Sequence, residues 1–209
     1  MTNNLLTPAN PSETNTFASP PDSADFERRF GGVRRLYGAD ALERFKAAHV
    51  CVVGIGGVGS WAAEALARSA VGRITLIDLD MVAESNVNRQ IHALGDEFGK
   101  AKTRAMAERI LAINPACRIE EIEDFVTPDN LDQVLGRGFD FVIDAIDQVR
   151  TKAAMIAWCK RHGVPVVTAG GAGGQIDPTR IEIADLAQTI QDPLLSKVRS
   201  TLRKEYAND

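Results

Sequence analysis

One glycine-rich segment constrains this chain more than any other feature. A nearly continuous apolar run, His49 to Val53 (HVCVV), precedes the segment GIGGVGS at 54–60, and an alanine-rich stretch follows. This order predicts a buried strand, a tight turn and a helix packed close to a sheet. Glycines in such a turn let backbone N–H groups and the helix dipole approach phosphate oxygens. The segment therefore predicts a nucleotide site, with strand-to-helix packing alone as the alternative role of its glycines.

Strand-like and helix-like segments alternate after this turn. We expect strands at 73–78, 119–124, 139–145 and 164–168, and helices at 60–70, 100–113 and 149–162, with a further helix starting near Thr127. Residues 23–48 predict short helices that precede the first strand. This alternation is typical of an α/β fold with a doubly wound, mostly parallel, Rossmann-like sheet.

The two ends of the chain depart from this alternation. Residues 1–22 are rich in Asn, Thr, Pro and Ser and predict a disordered tail, so one domain is expected over 23–209. The segment IDPTRIEIADL at 176–186 predicts one more short strand, and 194–206 a terminal helix. Because the chain stops soon after that helix, we expect the domain to lack its C-terminal end.

Composition excludes several classes of protein. Twenty-four Lys and Arg against 28 Asp and Glu argue against a protein that coats nucleic acid through its overall charge. The three cysteines show no zinc-type pairing and suit the reduced thiols of a cytoplasmic protein. No apolar run approaches the length of a membrane span, and the first residues lack the pattern of a signal peptide. We therefore expect a soluble, cytoplasmic chain without membrane contact.

Polar residues after the second predicted strand favour one kind of nucleotide. Asp78 ends that strand and is placed to accept a hydrogen bond from a ribose, as in many dinucleotide sites. Two cations, Arg89 and Lys102, and the amides of Asn86 and Gln90 follow it. Such a set would neutralise a triphosphate rather than hold a neutral nicotinamide. ATP is therefore favoured over NAD, although a single loop cation is more often solvated surface.

Two aspartates and one histidine carry further hypotheses. Asp147 lies just past the strand at 139–145, where ligands bind in doubly wound sheets, and could hold Mg²⁺ that bridges phosphates. Alternatively, Asp144 and Asp147 cap the helix that follows. His92 is either a proton carrier or, in the interpretation we favour, a packed side chain.

Four motifs in order resemble the ubiquitin-activating-enzyme superfamily, whose bacterial members include ThiF and MoeB: GIGGVGS, LIDLDMVAESNVNRQ, GKAK and DAIDQ. The resemblance runs from about Arg29 to the end of the chain and implies a ThiF-like ATP-binding adenylation domain. The ATP-binding residues it implies are Gly54, Gly56, Gly57, Gly59, Asp78, Asn86, Arg89, Gln90 and Lys102. It implies catalytic roles for Arg89, Lys102 and Asp147, with Asp147 as the magnesium ligand.

Further segments resemble one branch of the superfamily most closely. RFGGVRRLYG, NRQIHAL, EDFVTPDN and VTAGGAGGQIDPT followed by QDPL are similar to enzymes that use ATP to cyclise threonylcarbamoyladenosine in tRNA by dehydration, through an acyl-adenylate. This branch implies a tRNA substrate. The alternative is adenylation of the C-terminus of a ubiquitin-like sulfur carrier, and a lesser alternative is an NAD-binding redox or sensor protein.

The resemblance also implies partners. It implies a homodimer and, within the family, a sulfur-transfer partner protein. MoeB-like members carry an arginine in an RYxRQ motif that reaches the partner's ATP, whereas this chain has RFGGVRRLYG with a different spacing. Arg35 or Arg34 would supply that cation, with Arg29 as a third choice and a purely structural arginine as the alternative.

A basic cluster lies on the predicted terminal helix. It comprises Lys197, Arg199, Arg203 and Lys204, and Arg199 and Arg203 share one helix face. We expect this cluster to contact the tRNA backbone, with a solvated helix face as the alternative.

Overall fold

A computed structural model describes residues 23–207, so the predicted tail at 1–22 lies outside the described residues. Five parallel strands form one sheet in the order β3-β2-β1-β4-β5. They are β1 (His49–Val53), β2 (Arg73–Ile77), β3 (Arg118–Ile122), β4 (Phe141–Asp144) and β5 (Val166–Thr168). The α-helices of the described part are α1 (Ser23–Tyr37), α2 (Ala39–Ala47), α3 (Gly59–Arg68), α4 (Lys102–Ile113), α5 (Leu131–Leu135), α6 (Val149–His162) and α7 (Pro193–Glu205).

The central strand β1 contributes side chains to two hydrophobic cores, one on each face of the sheet. Successive side chains of a strand point to opposite faces of the sheet. Val52 accordingly packs with Met106 and Ile110 of α4, whereas Val53 packs with Met155 of α6 in the other core. Helices cover both faces, so the expected doubly wound, parallel α/β fold is confirmed.

The N-terminal helices are anchored to the rest of the domain. Phe30 of α1 and Leu42 of α2 are buried against Ala70. The Arg29 guanidinium donates hydrogen bonds to the carbonyl oxygens of Ala112 and Ile113, at 3.4 and 3.2 Å. Because these carbonyls lie at the end of α4, Arg29 satisfies acceptors that the helix itself leaves open.

One predicted helix has the expected bounds, and another begins later than expected. The helix expected at 149–162 has those bounds, and it ends because Gly163 adopts a left-handed conformation with φ of 66°. The helix expected to start near Thr127 begins instead at Leu131, since Thr127 and Asn130 form a turn in which the Asn130 carboxamide accepts from the Thr127 N–H at 2.9 Å.

The strand expected within 176–186 is wrong. This segment contains a 3-10 turn, Pro178–Arg180, and a second one follows at Leu186–Gln188. The Asp177 carboxylate accepts a hydrogen bond from the Thr179 N–H at 3.0 Å, and Pro178 has no backbone N–H to donate to a neighbouring strand. A local cap therefore replaces strand pairing. Short 3-10 turns also occur at Glu84–Asn86 and Gly95–Glu97.

None of the helices within residues 23–207 combines the length and hydropathy needed to cross a lipid bilayer.

Candidate nucleotide-binding site

Two glycines of the GIGGVGS turn are required by its shape. Gly54 has a φ of 87°, and a Cβ there would lie 3.1 Å from the Ala145 carbonyl oxygen. A Cβ on Gly59 would collide with the Gly54 carbonyl. Gly56, by contrast, faces open space, and Gly57 lies against the aliphatic part of Arg89. Packing thus explains Gly54 and Gly59, whereas Gly56 leaves the backbone open to a ligand.

The first turn of α3 follows this open stretch of backbone directly, and its Ser60 N–H donates to the Gly56 carbonyl oxygen at 3.1 Å. The residue preceding the helix, Val58, provides no side-chain cap. An uncapped helix start leaves donors and a positive dipole end that suit an anion. The Ser60 hydroxyl is buried in this turn without a hydrogen-bond partner among the described residues. The geometry fits the predicted phosphate contact.

Asp78 ties the glycine turn to the end of β2. Its Oδ2 accepts a hydrogen bond from the Ile55 N–H at 2.6 Å, and its Oδ1 accepts from the Asp80 N–H at 2.8 Å. The carboxylate is only half-buried. Each oxygen can accept a second hydrogen bond, so a ribose contact remains open to it. Sequence reasoning missed this structural role of Asp78.

Lys102 is placed by a residue that sequence reasoning also missed. Its Nζ lies 2.7 Å from Asp80 Oδ2, and the Lys102 side chain is 8% exposed against 59% for that of Asp80. The alternative of a solvated loop cation is therefore wrong for Lys102, which is the first residue of α4. The two aspartates of LIDLD were the available signal, because Asp80 follows the predicted ribose acceptor by two residues.

The loop after β2 brings Arg89 against Gly57 of the glycine turn and holds Asn86 through a local hydrogen bond. Asn86 is buried, and its Oδ1 accepts from the Ala83 N–H at 3.0 Å. Arg89 is exposed, and its guanidinium donates to Ser85 O and Asn88 Oδ1, each at 2.9 Å. Trp61 of α3 donates its indole N–H to the Arg89 carbonyl at 2.9 Å and so holds this loop on the helix.

Two buried polar side chains of the same loop lack partners. The Gln90 Oε1 and both ring nitrogens of His92 have no hydrogen bond within the described part of the chain. Burial and the positive charge of Lys102 lower the pKa of His92 to about 4. Its ring is therefore neutral near pH 7. The favoured interpretation of His92 as a packed side chain agrees with its 1% exposure.

A buried ion pair closes the end of β4. The Lys152 Nζ lies 2.8 Å from Asp144 Oδ1, and it donates to Thr168 Oγ1 at 2.9 Å. The Thr168 hydroxyl in turn donates to Asp144 Oδ2 at 2.6 Å. Burial raises the pKa of Asp144 and lowers that of Lys152, and each charge opposes the effect on its partner. Asp144 thus joins β4, β5 and α6.

Asp147 is exposed at the exit of β4. Gln148, and neither aspartate, directly precedes α6, and within residues 23–207 no hydrogen bond joins Asp144 or Asp147 to an N–H group of the first helical turn, so the capping alternative is wrong. The chain between them packs on the glycine turn, since the Ile146 methyl lies 3.0 Å from the position of a Cβ on Gly54. β1 and β4 are neighbours whose following helices cover opposite faces, which is where ligands bind in such sheets.

No group of three or more His, Cys, Asp or Glu side chains in residues 23–207 is arranged to hold a metal ion. Mg²⁺, however, usually keeps several waters and binds through one or two carboxylates together with substrate phosphates. The Asp147 carboxylate is exposed and follows Ile146, which packs on Gly54, and it fits that manner of binding.

The structure separates the three candidate arginines of α1. Arg29 bonds to the end of α4, and Arg34 pairs with Glu27 at 2.6 Å. Arg35 is exposed and forms no ion pair within residues 23–207. Of the three, Arg35 has the guanidinium most open to a ligand.

The three cysteines, Cys51, Cys117 and Cys159, are free and buried in the core. Burial raises the pKa of the Cys117 thiol to about 12 and that of Cys159 to about 11, and it also raises the pKa of Cys51. None of them is an accessible thiolate.

Comparisons with known proteins agree with this geometry. The profile of the ThiF family matches residues 30–204. The chain is 58% identical over 182 residues to a tRNA threonylcarbamoyladenosine dehydratase of Haemophilus influenzae, covering 87% of this chain and 70% of that protein. It is 61% identical over 181 residues to the protein of that name from Escherichia coli, covering 87% and 68%. The crystal structure of the E. coli dehydratase TcdA in complex with ATP superposes with a TM-score of 0.87 at 60% identity, covering 88% of this chain and 76% of that one.

Proposed function

The chain belongs to the ThiF family, and we propose that it uses ATP to dehydrate N6-threonylcarbamoyladenosine in tRNA. The observation that carries this proposal is the 58% to 61% identity, over most of the chain, to enzymes named for that reaction. The open glycine turn beside Asp78, Lys102 and Asp147 supports ATP as the nucleotide.

The reaction needs ATP because a carboxylate oxygen is a poor leaving group. In the proposed first step, a carboxylate oxygen of the threonyl group attacks the α-phosphorus of ATP, and pyrophosphate leaves. In the second step, a carbamoyl nitrogen attacks the activated acyl carbon, loses its proton, and AMP leaves with the oxygen. The net change is the loss of one water from the nucleoside and the cleavage of ATP to AMP and pyrophosphate. The tethered nucleophile makes ring closure intramolecular and fast.

The residues divide these tasks among them. The backbone at Gly56 and the first turn of α3 would face the phosphates, and Asp78 the ribose. Lys102 and Arg89 would stabilise the charge that develops on the phosphates during adenylyl transfer. Both are already held near the site, by Asp80 and by the Ser85 carbonyl respectively, so little reorganisation is required.

Asp147 would hold Mg²⁺ at the exit of β4. When bound, this ion supplies positive charge to the phosphates of ATP. Within residues 23–207 the Asp147 carboxylate forms no ion pair, whereas the buried Lys152 pairs with Asp144.

We further propose a homodimer in which Arg35 reaches the nucleotide of the partner copy. Leu36 and Tyr37, next to it on α1, are 73% and 59% exposed and would lie in such an interface. This proposal identifies Arg35, rather than Arg34 or Arg29, as the crossing cation.

AMP release tests the activity. We expect AMP and pyrophosphate to form from ATP when tRNA carrying threonylcarbamoyladenosine is present, and not with unmodified tRNA. Release that depends instead on a ubiquitin-like carrier protein would move the assignment to sulfur-carrier adenylation. Calorimetry that detects NADH binding but no ATP binding would support a redox or sensor protein.

A further inference from the structure

The terminal helix α7 has two distinct faces. Leu195 and Val198 are buried on the side that faces the core. The other side carries hydroxyl and cationic side chains at helical spacing, and together they line a shallow depression of about 320 Å³. These lining residues are Ser196, Arg199, Ser200, Arg203 and Lys204.

The cations of this face differ from most others in the chain. Within residues 23–207, eleven Lys and Arg residues form ion pairs with carboxylates, and none of the eleven lies on α7. Lys197, Arg203 and Lys204 are exposed and have no carboxylate partner within residues 23–207. In the described part of the chain, the partners of Arg199 are neutral groups, the Leu186 carbonyl and the Thr189 hydroxyl. A chain of formal charge −4 therefore presents one face whose positive charge is not neutralised.

The helix starts at the same edge of the sheet as the candidate nucleotide site. Asp192 Oδ1 accepts from the Leu195 N–H, and its Oδ2 accepts from the Gly171 N–H in the loop after β5, both at 2.8 Å. Because β5 is parallel to β4 and next to it, the contact with Gly171 places the start of α7 at the carboxyl edge of the sheet, beside the exit of β4. A helix of 13 residues extends about 20 Å from this point. Arg203 and Lys204 therefore lie further along the helix from this point than Arg199 does.

The hydrogen-bond donors on this face of α7 are of the kinds that contact the phosphate backbone of nucleic acids. Arginine, lysine and serine side chains are among the groups that bind phosphodiester oxygens in nucleic acids. If the modified adenosine of a tRNA bound at the candidate nucleotide site, the adjoining phosphates of the RNA would extend away from that site. The cations of α7, which lack carboxylate partners within residues 23–207, match such a polyanion in charge.

We propose that this face of α7, defined by Ser196, Arg199, Ser200, Arg203 and Lys204, binds the sugar-phosphate backbone of the tRNA substrate. The inference rests on the proposed function. It places the RNA on the side of the sheet that α6 and α7 cover, next to β5, and not on the side of α3 and α4.

The test is the paired charge reversal Arg203→Glu with Lys204→Glu. It leaves Arg199, which bonds to the preceding turn, in place. Binding of fluorescently labelled tRNA is measured by anisotropy at several salt concentrations. We expect tRNA affinity to fall at least about tenfold, and the slope of log affinity against log salt to become shallower by about two. ATP affinity, measured by calorimetry, should stay unchanged.

The matched control is Arg44→Glu with Arg118→Glu. These cations are exposed and unpaired within the described part of the chain, on α2 and on the opposite edge strand β3. The control changes the net charge equally and should retain tRNA binding. An equal loss of tRNA affinity in both variants would show that the loss depends on net charge alone. Unchanged tRNA affinity in the α7 variant would show that the RNA binds elsewhere. Either result overturns the inference. Failure of the proposed function is seen separately, as a parent protein that binds tRNA but releases no AMP.

Discussion

Lys152 Nζ lies 2.8 Å from Asp144 Oδ1, and both side chains are completely buried. Asp144 is the last residue of β4 and Lys152 lies on α6, and the exposed Asp147 belongs to the loop that joins these two elements. A buried ion pair is costly to desolvate, and removal of one partner leaves an uncompensated charge in the interior. The pair therefore fixes the strand exit from which the proposed magnesium ligand projects.

Replacement of this lysine should destabilise the fold strongly. We expect Lys152→Met to lower the free energy of unfolding by about 3–5 kcal/mol, because Asp144 then lacks its partner. The measurement is urea denaturation followed by circular dichroism. Lys160→Met, at an exposed position on the same helix, is the control and should change stability little. A variant at 152 as stable as the control would contradict the account.

His92 should make stability depend on pH. Its pKa is about 4 in the folded state and about 6.5 when unfolded, so the unfolded state binds the proton first as pH falls. Its stabilising contribution is complete above pH 6.5 and decreases toward pH 4, by about 3 kcal/mol in total. Between pH 6.5 and 5, His92→Gln should therefore show a shallower loss of stability than the parent protein.

His49 serves as the comparison for that experiment. Burial also lowers its pKa, and its ring forms a hydrogen bond of 2.8 Å with Thr75 Oγ1. His49→Gln should retain the part of the pH dependence that His92 contributes. Identical slopes for the parent and His92→Gln would show that His92 is not held neutral by the fold.

Lys102 should act on turnover. We expect Lys102→Ala to lower the rate of AMP formation by about 10²–10³-fold, because the charge that stabilises the transition state is lost. Lys100→Ala is the control, since Lys100 pairs with Glu97 and Glu108 on the surface instead. Single-turnover measurements should show this difference in rate. Equal rates for the two variants would remove Lys102 from the catalytic set.

Arg35 should contribute to the partner's site. Arg35→Ala should reduce ATP affinity and turnover, whereas Arg34→Ala should lose only a surface ion pair with Glu27, worth less than about 1 kcal/mol. Sedimentation should show a dimer for both variants at micromolar concentration. A monomeric parent protein, or equal activity of the two variants, would exclude a nucleotide contact by Arg35 across a dimer.

The sequence predicts the sheet better than it predicts the site. The strand HVCVV and the helix at 149–162 are recognisable from local signals, namely a continuous apolar run and a glycine directly after the helix. The ion pair of Lys102 with Asp80 joins residues 22 positions apart, and that of Lys152 with Asp144 joins a helix to a strand. Such pairs depend on how elements pack, which a local pattern does not contain. The isoleucines at 181 and 183 imitate strand alternation, yet both are exposed in a segment of local turns.

The mass of the nucleoside tests the central claim most directly. The protein is incubated with ATP, Mg²⁺ and tRNA that carries threonylcarbamoyladenosine, and the RNA is then digested for mass spectrometry. We expect the modified nucleoside to lose the mass of one water, with AMP formed in equal amount, and Asp147→Ala to abolish both changes. A nucleoside of unchanged mass after incubation with the parent protein and ATP would contradict the proposed dehydration.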